Sequence, residues 1–113
     1  MINKRELNAR YQTLSASQTE DSAQTYTVNW AAELDTDTIS TSTWTAEDSG
    51  LIIANESNTT QSASARLSGD TGRYRIINKI VTAAGDTMER YIDLIIMEND
   101  LYYSTDWGYY NYR

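Results

Sequence analysis

The chain is expected to fold as an all-β protein, a small antiparallel sandwich. Three observations predict it. Apolar and polar residues alternate with period two along several short runs between about Gln24 and Met97. Turn formers separate those runs at roughly 8–12-residue spacing, the rhythm of a sandwich. Ser and Thr make up roughly a quarter of the chain, and the large apolar residues are mostly Ile, Leu, Tyr and Trp; such residues suit a half-buried pleated surface better than a helix.

The elements follow in order. Over Gln24 to Trp30, Tyr26, Val28 and Trp30 face one way and Thr25, Thr27 and Asn29 the other. Ala31 to Thr38 reads as a connection carrying Glu33, Asp35 and Asp37. Ile39 to Thr45 is a second strand, thin in apolar residues but holding Trp44. A turn at Glu47-Asp48-Ser49-Gly50 leads to a third strand over Leu51 to Glu56, and Asn58-Thr59-Thr60-Gln61 turns the chain again. Ser62 to Ser68 sets Ala63, Ala65 and Leu67 against Ser62, Ser64 and Arg66. After Gly69-Asp70-Thr71-Gly72, Arg73 to Thr82 places Tyr74, Ile76, Asn78 and Ile80 on one face. Ala83-Ala84-Gly85-Asp86 makes a hairpin, with Gly85 free to adopt positive φ. Thr87 to Met97 closes the set, with Ile92, Leu94 and Ile96 inward.

Composition narrows the function. The 113 residues suffice for one core. Cys and His are absent, which removes disulfides, thiolate nucleophiles, the usual zinc sites and every imidazole base. A net charge of -7 and a pI near 4.4 argue against nucleic-acid binding. No apolar run approaches the roughly 20 residues of a membrane span, so no membrane partner is expected. The start, Met-Ile-Asn-Lys-Arg-Glu, has no apolar stretch behind its basic residues and does not read as a secretory signal.

The local candidates for chemistry read as structural. Asp35-Thr36-Asp37 has the form of a cation-binding pair, but no third ligand stands at a set spacing, and no metal or other cofactor is expected. Glu47/Asp48 and Glu89/Asp93 are paired carboxylates; acid–base work would need one with a raised pKa in a cleft, and a solvated face is the simpler reading. No catalytic residue is assigned, and the chain is not expected to be an enzyme. Asn78 falls between Ile76 and Ile80 on the apolar side of its strand, so it is expected to bond backbone across the core or at a sheet edge. Trp30 and Trp44 are the expected core anchors.

The order of these signals resembles a known family, the small immunoglobulin-like proteins of tailed bacteriophages described as fibre–tail adaptors. The residues that carry it run from about Glu20 to Glu98: Tyr26-Thr27-Val28-Asn29-Trp30, Asp37-Thr38-Ile39-Ser40-Thr41-Ser42-Thr43-Trp44-Thr45, Gly50-Leu51, Ala65-Arg66-Leu67-Ser68-Gly69, Tyr74-Arg75-Ile76-Ile77-Asn78-Lys79-Ile80-Val81-Thr82 and Ala84-Gly85-Asp86-Thr87-Met88-Glu89-Arg90. The ordered string is specific; no single piece is. The resemblance implies an immunoglobulin-like antiparallel β-sandwich located in the virion, in its tail or neck, with a non-enzymatic structural role and tail, neck or fibre proteins as partners. The chain departs from the family's usual form in two places: it opens on Thr19-Glu20-Asp21 with no proline, and it adds extended N- and C-terminal arms, which make copies of the chain itself further expected partners. Capsid decoration and carbohydrate binding are the alternatives for a small β domain with arms.

Three regions are therefore expected: an N-terminal arm over 1–21, an immunoglobulin-like sandwich over 22–98 and an aromatic C-terminal tail over 99–113. The arm carries Lys4, Arg5 and Arg10 against Glu6 as far as Gln18. Asn3-Lys4-Arg5-Glu6 resembles a capping box, and Leu7, Tyr11 and Leu14 recur at helical spacing. A helix of that length is marginal in water, so the arm is expected to order only against a partner. The tail carries Tyr102, Tyr103, Trp107, Tyr109, Tyr110 and Tyr112. Tyr and Trp bury large areas at low entropic cost, which marks them, with Leu7, Tyr11 and Leu14, as the expected partner-binding residues.

Overall fold

The structure, a computed structural model, describes residues 5–98. Its strands are β1 (Arg5–Asn8), β2 (Thr13–Thr19), β3 (Gln24–Asn29), β4 (Ile39–Ala46), β5 (Leu51–Asn58), β6 (Ser62–Gly69), β7 (Gly72–Thr82) and β8 (Thr87–Met97), with a one-turn helix α1 (Ala31–Leu34) between β3 and β4. They form two four-stranded sheets, ordered β1-β3-β6-β5 and β2-β8-β7-β4.

The alternation read from the sequence sets the core. Tyr26, Val28 and Trp30 from the first sheet meet Ile76, Ile80, Ile92, Leu94 and Ile96 from the second, all essentially inaccessible to solvent. Leu67, Trp44 and Tyr74 complete the expected set and are buried as well. β7 and β8 pair antiparallel over ten residue pairs, from Gly72↔Ile96 to Val81↔Thr87. Gly85 closes their hairpin at φ +97°, a conformation that side chains resist. Gly69 serves a different need. A Cβ there would lie 2.5 Å from the Gly50 carbonyl oxygen, so only glycine lets β6 approach the start of β5.

Connectivity identifies the sandwich type. Three strands on one side (β3, β6, β5) and three on the other (β4, β7, β8) follow the immunoglobulin-like layout. The Tyr74 hydroxyl, near the start of β7, donates to the Asp70 carbonyl at 2.7 Å. This is a tyrosine corner: one hydrogen bond ties the loop between β6 and β7 to the strand that follows. Burial, then the nearby Asp70 and Asp48 carboxylates, pushes the Tyr74 phenol above its ordinary range, so it stays a donor at neutral pH.

The N-terminal segment corrects the expectation of a separate helical arm. Residues 5–19 supply two strands of the sandwich, and both pairings are parallel: β1 with β3, from Arg5↔Tyr26 to Asn8↔Asn29, and β2 with β8, from Thr13↔Tyr91 to Thr19↔Met97. The sandwich is thus not purely antiparallel, and it begins at β1 rather than near Ser22. The physical reason lies in Leu14 and Gln18, whose side chains are buried on the inner side of β2. Gln18 accepts the Tyr26 hydroxyl at 2.7 Å and donates to the carbonyls of Leu67 (3.0 Å) and Ser22 (3.1 Å). The amide is satisfied across the core, and it fastens β2 to the opposite sheet.

A second polar pair lies near the core's other end. Asn78 accepts the Trp30 indole N–H at 2.9 Å and donates to Ser42 Oγ (3.1 Å) and the Thr43 carbonyl (3.3 Å). The expected backbone bond is present, and the indole is an added partner. Arg90 holds the turn between β1 and β2: its guanidinium donates to the Ala9 carbonyl, pairs with Glu33 at 3.3 Å and lies 5.0 Å over the Trp30 ring.

Candidate interaction surfaces

The strand directions give the domain two distinct ends. Thr19 pairs with Met97, and Arg5 pairs with Tyr26, close to where β3 begins after β2. The described chain therefore starts and finishes at one end. The opposite end holds α1, the β7–β8 hairpin and the turn from Ala9 to Gln12.

The expected partner-binding residues are dispersed by this arrangement. Leu14 is a core residue, and Leu7 on β1 is half-buried against the core, so neither presents a docking surface. Tyr11 does: it is 59% exposed at the tip of the β1–β2 turn, with the Arg10 guanidinium 5.5 Å from its ring. It stands at the far end from the C-terminal exit, separated by the length of β2, about 23 Å for seven extended residues. Tyr102, Tyr103, Trp107, Tyr109, Tyr110 and Tyr112 lie outside the described residues. The signal that could have revealed β2 was present: Leu14, Ala16 and Gln18 alternate with Thr13, Ser15 and Ser17 at period two.

The outer face of the second sheet carries a row of facing side chains across its two longest strands. Across β7 and β8 the facing pairs are Arg73/Ile95, Arg75/Asp93, Ile77/Tyr91 and Lys79/Glu89. Arg75 Nε bonds Asp93 at 2.9 Å and its guanidinium stacks 5.2 Å from Tyr91. Ile95 and Met97 are exposed beside the C-terminal exit. A recess of about 520 Å³ on this face is lined by Ser15, Glu47, Asp48, Arg73, Arg75 and Asp93, among others. The hydrogen bond from Arg75, together with its charge, holds the Asp93 carboxyl below the usual range, and Asp93 raises Arg75 in return. A general acid needs the opposite shift.

Asp37 is likewise held low, chiefly by a hydrogen bond from the Thr82 side chain and then by the Thr38 N–H at 2.8 Å. It also accepts the Ala84 N–H at 3.3 Å. The carboxylate clamps the β7–β8 hairpin onto the loop before β4. Among the described residues no three Asp or Glu side chains gather in a way that could hold a metal ion.

Residues 18–95 match the family described as podophage GP4 fiber-tail adaptor protein gp77, and the chain belongs to that family. It is accordingly a component of the phage virion with a structural adaptor role between fibre and tail. No curated protein matches the chain. Among solved structures it is similar to the PKD domain of the KIAA 1837 protein, at 15% identity and TM-score 0.52, covering 90% of this chain and 87% of that one. It is also similar to part of a 2,6-sialyltransferase of the Vibrionaceae bacterium Photobacterium sp. JT-ISH-224, at 12% identity and TM-score 0.52. There the match covers 86% of this chain but 18% of the enzyme. At these identities the likeness is one of fold.

Proposed function

We propose that the sandwich is a rigid spacer, with the C-terminal segment Leu101 to Tyr112 docking on another virion protein at one end and the Tyr11 turn meeting a second component at the other. The carrying observation is the two-ended geometry. The chain leaves the domain beside exposed Ile95 and Met97, while exposed Tyr11 stands at the opposite end. A connector needs two separate contacts, and the sequence places its densest aromatic run beyond Glu98. The partners on this reading are tail, neck or fibre components and neighbouring copies of this chain. Residues 1–4, with Lys4, add a basic start to an acidic domain and favour an acidic surface.

The test is deletion of Leu101–Arg113. Every strand described lies before it, so the shortened protein should fold, stay soluble and keep its thermal transition. It should fail to join the particle. Normal assembly of the shortened protein would remove the tail from the connecting role.

A further inference from the structure

The second sheet ends on one side in β2, and this edge differs from the others. β1 is four residues long and carries Arg5 and Glu6. β5 is broken by an irregularity between Ala54 and Ser57, where Asn55 adopts φ +53°. β4 has an irregularity between Ile39 and Thr41 and packs beside β5. Short length, charge, bulges and cover are the usual protections of a sheet edge. Among the described residues β2, Thr-Leu-Ser-Ala-Ser-Gln-Thr, has none of them: seven residues without a charge, a proline or a register shift.

Its unused backbone groups can be named. The Gln12 carbonyl accepts Tyr91 N–H, and Glu20 N–H donates to the Met97 carbonyl. Even-numbered residues therefore turn their peptide groups toward β8, and by the two-residue period Thr13, Ser15 and Ser17 turn theirs outward. Their side chains are small and exposed, so nothing bulky screens the edge.

The geometry points to this edge as the socket for residues 101–107 of a neighbouring copy, which add to it as a further strand. This rests on the reading of the C-terminal segment as the connector and says where it goes. At the two-residue period of an added strand, Leu101-Tyr102-Tyr103-Ser104-Thr105-Asp106-Trp107 sets Leu101, Tyr103, Thr105 and Trp107 on one side and Tyr102, Ser104 and Asp106 on the other. Its seven residues match the seven of β2. A chain's own tail is poorly placed for the same socket. It would have to round the β2–β3 turn and reverse direction within Glu98-Asn99-Asp100, which reach about 10 Å fully extended, while a strand beyond β2 lies about two strand spacings, roughly 10 Å, from β8. That leaves no slack for the turn, whereas a tail arriving from another copy is not so tethered.

Sedimentation of the full chain over a range of concentrations tests this. The natural chain should associate. Ser17→Pro removes an outward N–H that the sheet does not use, and should abolish association with the fold intact by circular dichroism. A Ser15→Lys/Ser17→Lys chain, should proline perturb the strand, should do the same. Tyr103→Asp/Trp107→Asp should also give monomers, and mixing it with Ser17→Pro chains should restore a one-to-one pair, since one supplies the socket and the other the strand. Edge variants that associate like the natural chain would overturn the inference while leaving the tail a connector. So would a natural chain that stays monomeric, whether its Ser15 and Ser17 amides exchange quickly or are covered by its own tail. Unimpaired particle joining by Tyr103→Asp/Trp107→Asp would instead overturn the connector reading itself.

Discussion

The β7–β8 hairpin and the β1–β2 segment are built from the same alphabet of alternating residues but by different means. The hairpin pairs its two strands with each other, and its inward positions are mostly large aliphatics, Ile76, Ile80, Ile92, Leu94 and Ile96, with Tyr74, Thr82 and the amide of Asn78 in the same row. β2 pairs with a strand more than seventy residues away and buries Leu14 and the polar Gln18. The first is fixed by apolar burial. The second is fixed by a hydrogen-bonded amide on an otherwise small, polar strand. A strand of that kind can belong to the sandwich and still offer its outer edge to solvent.

That contrast can be broken most forcefully in the hairpin. Leu94→Ala or Ile76→Ala should cost about 2–5 kcal/mol in urea unfolding, a large share of a small domain's stability. Leu14→Ala should fall near the lower limit, about 2 kcal/mol, because an edge site relaxes more easily; no change at all would mean that β2 is not packed. Next comes Gln18→Ala, which removes the hydrogen bonds of the amide to the Tyr26 hydroxyl and the Leu67 carbonyl. A loss of about 1–3 kcal/mol is expected, measured by the same titration. Tyr11→Ser should move stability by no more than about 0.5 kcal/mol, as at other exposed sites.

Acid should produce the smallest effect, and it should touch the hairpin rather than β2. Asp37 and Asp93 are both held below the ordinary carboxyl range in the folded protein. Folding therefore favours their ionised forms. Their contribution is complete above the unfolded value near 3.8 and disappears as pH falls through the lower folded values. Asp37→Asn should flatten the stability profile in that acid range and quicken amide exchange at Ala84. An unchanged profile would mean that the clamp adds nothing. Both carboxylates face solvent, so the effect is modest.

The strands from Gln24 to Met97 were legible because each carries its own period-two alternation between turn formers, whether its partner is the next strand, as for β5–β6 and β7–β8, or distant in sequence, as for β3–β6 and β4–β7. The core residues named from alternation are buried. β1 and β2 were not legible as strands because Leu7, Tyr11 and Leu14 fall at helical spacing by coincidence, while the force that decides their structure comes from β3 and β8. Asn78 was recognisable as a buried amide, since it interrupts an aliphatic row. Gln18 has no such frame: its neighbours Ser17 and Thr19 are as polar as it is. Of the residues expected to bind a partner, Tyr11 is exposed, though at a turn between two strands rather than on a helix. Leu14 was misread because an isolated leucine looks the same in an amphipathic helix and in an edge strand.

The parallel pairing of β2 with β8 also decides how the domain carries tension. Pulling on the two chain ends together acts at one end of the sandwich and peels β1 away from β3, one of its four residue pairs after another. Pulling between the C-terminal exit and the Tyr11 tip acts lengthwise on two strands that run the same way. The seven pairs from Thr13↔Tyr91 to Thr19↔Met97 then share the load in shear and must fail together. A connector strained between two components at its opposite ends meets its stiffest direction. One strained at its termini alone yields first at its shortest strand.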